Sequence, residues 1–133
     1  MRYVTDFHIH SRYARACSKD LTLENIDAYC AKKGVSIVAT GDYTHPQWFL
    51  EMKNTLVEKE PGLYVCKNSP PEANQPWAEK HQTRFICSVE ISCIYSKGGK
   101  VRRLHIVVLA PSLEVVEKIN RDFFKVRSAR LIV

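Results

Sequence analysis

No stretch of this chain is long or apolar enough to cross a bilayer, and no secretory signal opens it. Its five cysteines, Cys17, Cys30, Cys66, Cys87 and Cys93, are odd in number and form no C-x-x-C pair. That argues against a disulfide scaffold and a zinc ribbon, and the expected compartment is the reducing cytoplasm. There is no internal repeat and no low-complexity tract. Acidic residues are in short supply: 14 Asp and Glu stand against 20 Lys and Arg, for a net charge of +6 and a pI near 9.1. That balance favours a polyanionic partner such as nucleic acid. At 133 residues, 45% of them apolar, the chain is one domain or a piece of one, able to bury a core.

What is present begins with Asp6-Phe7-His8-Ile9-His10, directly behind the short apolar run Tyr3-Val4. Side chains alternate along an extended segment, so His8 and His10 project to one face at the mouth of a first strand. Imidazole suits zinc, iron and related ions. Taken alone, such a pair is equally well a polar strand end.

A polar, basic loop, Ser11 to Lys19, follows. Thr22 is placed to cap a helix running to about Lys33, with Leu23, Ile26, Tyr29 and Cys30 at helical spacing and Gly34 as its stop. Val35 to Ala39 reads as a buried strand ending at Thr40-Gly41-Asp42. Pro46 suits the first turn of a second helix, with Phe49, Met52 and Leu56 on one stripe. Pro61 to Arg84, with four prolines, reads as a long loop or lid, and His81 within it as solvated. Phe85 to Tyr95 and Val101 to Leu109 read as a strand pair about a Gly98-Gly99 turn. Pro111-Ser112 opens a third helix with Leu113, Val116, Ile119 and Phe123 on its apolar side. This order of strands and helices is the α/β pattern. Phe123-Phe124 and Leu131-Ile132-Val133 have no following strand–helix unit to cover them. The expectation is a truncated or frame-shifted piece of a longer domain, or a chain that finishes its core by association.

In α/β sheets, ligand sites lie at the carboxyl ends of the parallel strands. There the layout gathers His8 and His10 after strand one, and Asp42 and His45 after strand two. Glu90 lies in the otherwise apolar run Ile86 to Ile91 and must be paired or bind a metal. A two-residue turn at Gly98-Gly99 sets Lys97 opposite Lys100 and Glu90 opposite Val107. His105 then shares the face of Glu90 on the diagonal, within reach of one bridging ion. Singly, His105 reads as a core histidine, Asp42 as a turn residue, Glu90 as a partner of Arg102 or Arg103, and His45 as a helix cap. Together they form a nitrogen and oxygen ligand set without thiolate, which favours a hydrolytic Zn, Mn or Fe cluster over a structural zinc site.

These residues resemble the polymerase-and-histidinol-phosphatase (PHP) superfamily. Asp6 to Ser11 is similar to its first motif and Ala39-Thr40-Gly41-Asp42 to its second. Glu90 matches the third, and Leu104-His105-Ile106-Val107 the strand histidine that follows. The closer resemblance is to the endonuclease Q family, through Ser11 to Ala16, Ser18 to Asn25, Thr40 to Pro46, and Glu90 to Tyr95 with the Lys-Gly-Gly-Lys-Val-Arg-Arg turn. It runs from Met1 to about Asn120, so residues 1–120 are expected to be the N-terminal part of a PHP-like phosphoesterase domain and 121–133 a divergent tail. The resemblance implies the first strands and helices of a distorted, TIM-like (β/α)7 barrel. It also implies several divalent ions (Zn, Mn or Mg) and an endonuclease cutting DNA beside deaminated bases or at abasic sites. Two departures stand out: Tyr43 occupies a position where the superfamily often has histidine, with His45 nearby, and the later Asp-x-His ligands are absent.

The expected metal ligands are therefore His8, His10, Glu90 and His105, then Asp42 and His45. Arg12, Arg15, Lys97, Lys100, Arg102 and Arg103 are candidate contacts to DNA phosphates, the last four serving equally as a solvated basic turn. The expected partner is DNA, with self-association as a second way to cover the incomplete core, and no membrane. The fragment is expected to keep part of a metal site with little or no turnover. A phosphatase on a small phosphate ester, and a non-catalytic remnant binding DNA or a partner, are the competing readings.

Overall fold

A computed structural model describes residues 2–69 and 82–126, apart from the side chains of residues 123–126. Strand β1 is short, Thr5–Asp6, and helix α1 spans Leu23–Lys33. Strand β2 is Ile37–Ala39 and helix α2 Pro46–Thr55. A hairpin follows, β3 (Leu56–Glu60) and β4 (Leu63–Cys66). Two long strands, β5 (Arg84–Lys97) and β6 (Lys100–Ala110), lead into helix α3 (Leu113–Val126).

Strands β1, β2 and β5 are parallel neighbours, and β4 then β3 continue the sheet antiparallel on the far side of β5. The first half of β5 lies in this mixed sheet. Its second half leaves it as a two-stranded ribbon with β6. Among the described residues the sheet is open and mixed, so the α/β expectation is met, while the expected first part of a TIM-like barrel is not confirmed.

Local chemistry accounts for most boundaries. The Thr22 hydroxyl accepts the Asn25 N–H at the start of α1, and Glu24 and Lys32–Lys33 complement the helix dipole. Tyr29, expected on the buried stripe, is instead 60% exposed beneath the Lys32 ammonium, and Ala28 and Ala31 face the core. The first strand begins two residues later than expected. Tyr3 and Val4 are exposed, although the Val4 carbonyl still accepts the Ser36 and Ile37 N–H groups. The largest departure is at Leu56. It does not extend the apolar stripe of α2; it opens β3, where extended backbone buries it against the core. The expected loop from Pro61 therefore begins as the Pro61-Gly62 turn of a hairpin, and β4 falls inside it. His81 and the rest of residues 70–81 lie outside the described residues, as does the tail 127–133. Helix α3 itself runs on across residue 120 to Val126.

The core packs α1, α2 and α3 on the sheet around Leu23, Val38, Tyr43, Trp48, Met52, Phe85 and Val116. Trp48 does more than fill volume. Its indole N–H donates to the Thr40 and Gly41 carbonyls, tying α2 to the end of β2. There the chain must turn sharply. Gly41 has φ +65°, and a Cβ placed on it would lie 2.5 Å from the Ile9 carbonyl oxygen. Only a residue without a side chain lets the segment carrying His8 and His10 pass so close to β2. Gly41→Ala should therefore cost at least ~2 kcal/mol of stability, measured by urea unfolding; an unchanged midpoint would contradict this close approach.

Candidate metal centre

Three separate stretches deliver the candidate ligands. His8 and His10 sit on the extended segment after β1. Glu90 and His105 sit on the ribbon, whose register has Lys97 opposite Lys100, Glu90 opposite Val107 and Ser92 opposite His105. Gly98 and Gly99 both have positive φ, 60° and 72°, as a two-residue hairpin turn of this hand requires. The ribbon thus puts His105 diagonally across from Glu90 on the same face.

Glu90 is the meeting point. The ring Nε2 atoms of His8 and His10 lie 3.0 and 3.1 Å from its Oε2. His105 Nδ1 contacts its other oxygen, Oε1. One donor atom each from His8, His10 and Glu90 falls within 4.8 Å of the others, a spread that a single cation spans. His8 and His105 are exposed, His10 is half-buried, and the Glu90 side chain is 14% exposed, so the group opens to solvent.

Asp42 stands behind His10 rather than within this group. Its Oδ1 is 3.0 Å from His10 Nδ1, while its Oδ2 accepts the Ser11 N–H at 2.6 Å and the Ser11 hydroxyl at 2.8 Å. With Nδ1–H donating to Asp42, the lone pair of His10 Nε2 points at the cluster. This carboxylate–imidazole arrangement is the usual outer support of a metal ligand. Ser11, fully buried, was not singled out from sequence; its place directly after His10 was the available signal. Ser88 was missed as well. Its hydroxyl accepts the Gly41 N–H, and its own N–H donates to the Thr40 hydroxyl, which locks the Asp42 turn to β5.

His45 is not brought to the group. Its Nδ1 accepts the Trp48 N–H, a long 3.4 Å contact capping α2, and its ring stacks on Tyr13 at 4.3 Å. Tyr43 is fully buried in the core. Arg12 is 2.5 Å from Glu51, which also accepts from the Tyr13 hydroxyl, so that guanidinium is committed within the protein. Arg15, Lys97, Lys100, Arg102 and Arg103 are exposed. The register puts Arg103 on the Glu90 face of the ribbon and Lys97, Lys100 and Arg102 on the opposite face. The cysteines stay out of the site: all five are free, and burial pushes the Cys30 and Cys87 thiols up to about 12.

Electrostatics match this geometry. Hydrogen bonds from His8 and then His105 hold the Glu90 carboxyl below its ordinary 4.5. The hydrogen bond to Asp42 raises His10 above its ordinary 6.5, against the opposing effect of partial burial. The donor set of two or three imidazoles and one carboxylate, with an outer carboxylate orienting His10, fits a borderline divalent cation.

The fold and this histidine–carboxylate group define the class: a mixed α/β fold with a candidate cation site. No protein-family profile matches the chain. A 48-residue stretch is 50% identical to an uncharacterized protein of Methanocaldococcus jannaschii, covering 36% of this chain and 6% of that protein. The crystal structure of the lesion-specific endonuclease PfuEndoQ from Pyrococcus furiosus is similar, with a TM-score of 0.68 and 23% identity over 92% of this chain. So is endonuclease Q in complex with a 27-mer duplex substrate with an abasic lesion at the active site, with a TM-score of 0.66 and 25% identity over 89% of this chain. The chain spans about a quarter of the length of either solved structure. Among the described residues, no helix is long and apolar enough to cross a membrane.

Two expectations follow. Asp42→Asn should weaken zinc binding roughly 10- to 100-fold while leaving the fold intact, because the outer carboxylate is lost and the ligand itself is kept; competition with a chromogenic chelator measures it, and wild-type affinity would contradict the supporting role. The second concerns pH. The raised pKa of His10 stabilises the metal-free fold below 6.5, and that contribution is lost as pH rises through the folded value. The lowered pKa of Glu90 stabilises it above 4.5, and that contribution is lost as pH falls through the folded value. Thermal melts of metal-free protein should therefore peak between those two values and fall above them. With zinc, which needs neutral His10, stability should rise with pH over the same upper range. Parallel curves with and without zinc would contradict this.

Proposed function

We propose that this chain carries the first part of a divalent-metal-dependent phosphodiesterase acting on DNA, of the endonuclease Q kind. The convergence of His8, His10 and Glu90 on one point, in a fold similar to that of a DNA endonuclease, carries this reading. His8, His10 and Glu90 would hold the ion, with His105 on the remaining Glu90 oxygen and Asp42 as the outer support.

Once bound, the ion would supply Lewis acidity toward a phosphoryl oxygen and a water molecule. The protein residues divide the remaining work. Asp42 keeps the proton of His10 on Nδ1 and so leaves Nε2 as a donor. Ser11 and Gly41 fix Asp42 in place, the latter through its turn. Glu90 supplies the negative charge that offsets a cation close to three imidazoles. The exposed cations of the ribbon, with Arg15, suit phosphate contacts along a duplex, and Arg103 is the one on the Glu90 face. Lesions of the deaminated-base or abasic type are the proposed substrates. This chain alone, a quarter of the length of those endonucleases, is proposed to bind metal and DNA with little or no turnover.

Affinity for an abasic-site duplex, measured over a salt series, tests this. Binding should fall steeply with salt, and Lys100→Ala or Arg103→Ala should each lower the log–log slope by ~0.9. Zinc or manganese binding should be lost in Glu90→Gln and His8→Ala. Metal binding with no salt-sensitive DNA affinity, together with hydrolysis of p-nitrophenyl phosphate, would overturn the DNA reading in favour of a small-ester phosphatase. Robust cutting of uracil-containing DNA by this chain alone would overturn the claim of low turnover.

A further inference from the structure

The ribbon is built as though one strand were missing. Its distal half projects from the sheet, and a two-stranded ribbon alone is marginally stable in water. Apolar residues are exposed on both of its faces: Val101 (65%), Leu104 (49%) and Leu109 (42%), with Ile94, Tyr95, Ile106 and Val107 beside them. Among the described residues β6 pairs with β5 alone, so its outer edge is open from Lys100 to Ala110. Hydrogen-bonding direction alternates from the closing pair Lys97–Lys100. Val101, Arg103, His105, Val107 and Leu109 therefore direct their N–H and C=O groups away from β5.

We propose that this edge pairs antiparallel with β6 of a second copy of the chain, about a two-fold axis at His105. Two observations select this occupant and register. The base of the edge is closed off by the β3–β4 turn, where a Cβ on Gly62 would lie 2.9 Å from the Pro111 carbonyl oxygen, so the usable edge is Lys100–Ala110. Pairing that segment fully with itself centres on residue 105. It sets Val101 against Leu109 and Leu104 against Ile106, apolar against apolar in each case.

Charge does not oppose the same arrangement. The cationic tip, Lys97 and Lys100, comes to the end of the second copy's β3–β4 hairpin, where the acidic residues are already engaged, Glu60 with Arg84 and Glu58 with the Gly62 N–H. The two Arg103 residues stay roughly 14 Å apart on strand spacings, beyond the screening length of about 8 Å at physiological salt. A two-fold axis normal to the ribbon keeps the Glu90 face of both copies on one side. The two candidate metal centres would then open on a common face, with their Glu90 positions roughly 20 Å apart. The pairing rests on the edge, independently of the metal reading.

Sedimentation and light scattering on the full chain test this. The 15.3 kDa chain should reach twice its mass by about 0.1 mM, with concentration-dependent dissociation below. Leu104→Lys, a change at an exposed position, should weaken dimerisation at least tenfold while leaving the circular dichroism spectrum unchanged. Mixing Val101→Cys protein with Leu109→Cys protein under oxidation should give a mixed-disulfide dimer that neither variant forms by itself, since only the mixture pairs the two thiols. A mass that stays monomeric to about 0.1 mM would overturn the proposal, as would a dimer that survives Leu104→Lys without the mixed disulfide.

Discussion

A carboxylate on an apolar strand has to be compensated, and at Glu90 that requirement shapes the whole site. The side chain is mostly covered, so its charge must be met by donors. Two imidazoles meet it, His8 from the segment after β1 and His105 from β6, and His10 Nε2 stands 3.1 Å from the same carboxylate. None is a sequence neighbour of Glu90, so the convergence depends on the β1–β2–β5 parallel order and on the register of the β5–β6 ribbon. Slipping that ribbon by one residue would move His105 to the opposite face.

The support behind the imidazoles is as specific as the imidazoles themselves. Asp42 holds His10, Ser11 holds Asp42, and Ser88, Thr40 and Gly41 hold the turn on which Asp42 sits. Trp48 fastens that turn to α2 from beneath. A layered arrangement of this kind is expected where a site must keep its geometry without a covalent link between its segments. It leaves one side open, and on that side the ribbon carries Arg103.

Much of this was legible in the sequence. The helix ends at Thr22 and Gly34 follow from capping chemistry, and the Gly98-Gly99 turn fixed the pairing of Glu90 with Val107 and the diagonal position of His105. Leu56 misled because its spacing fits the stripe of α2 as well as the start of β3; periodicity does not show where a helix hands over to a strand. Tyr29 fits the stripe of α1 by spacing, yet its ring packs at the surface under Lys32. Asp42 and His45 had the residue types of ligands, but their roles depend on which neighbour each side chain faces. Asp42 faces His10 and Ser11, and His45 faces the N-terminus of α2 and the ring of Tyr13. Residue type and spacing along the chain carry no information about those facing directions, which come from tertiary packing.

The central claim is that imidazoles and a carboxylate from separated segments form one cation site without thiolate. X-ray absorption at the zinc edge of the zinc-loaded protein addresses it most directly. The account predicts a shell of nitrogen and oxygen at ~2.0–2.1 Å with outer-shell scattering from at least two imidazoles. A sulfur shell at ~2.3 Å, or no imidazole scattering, would contradict it.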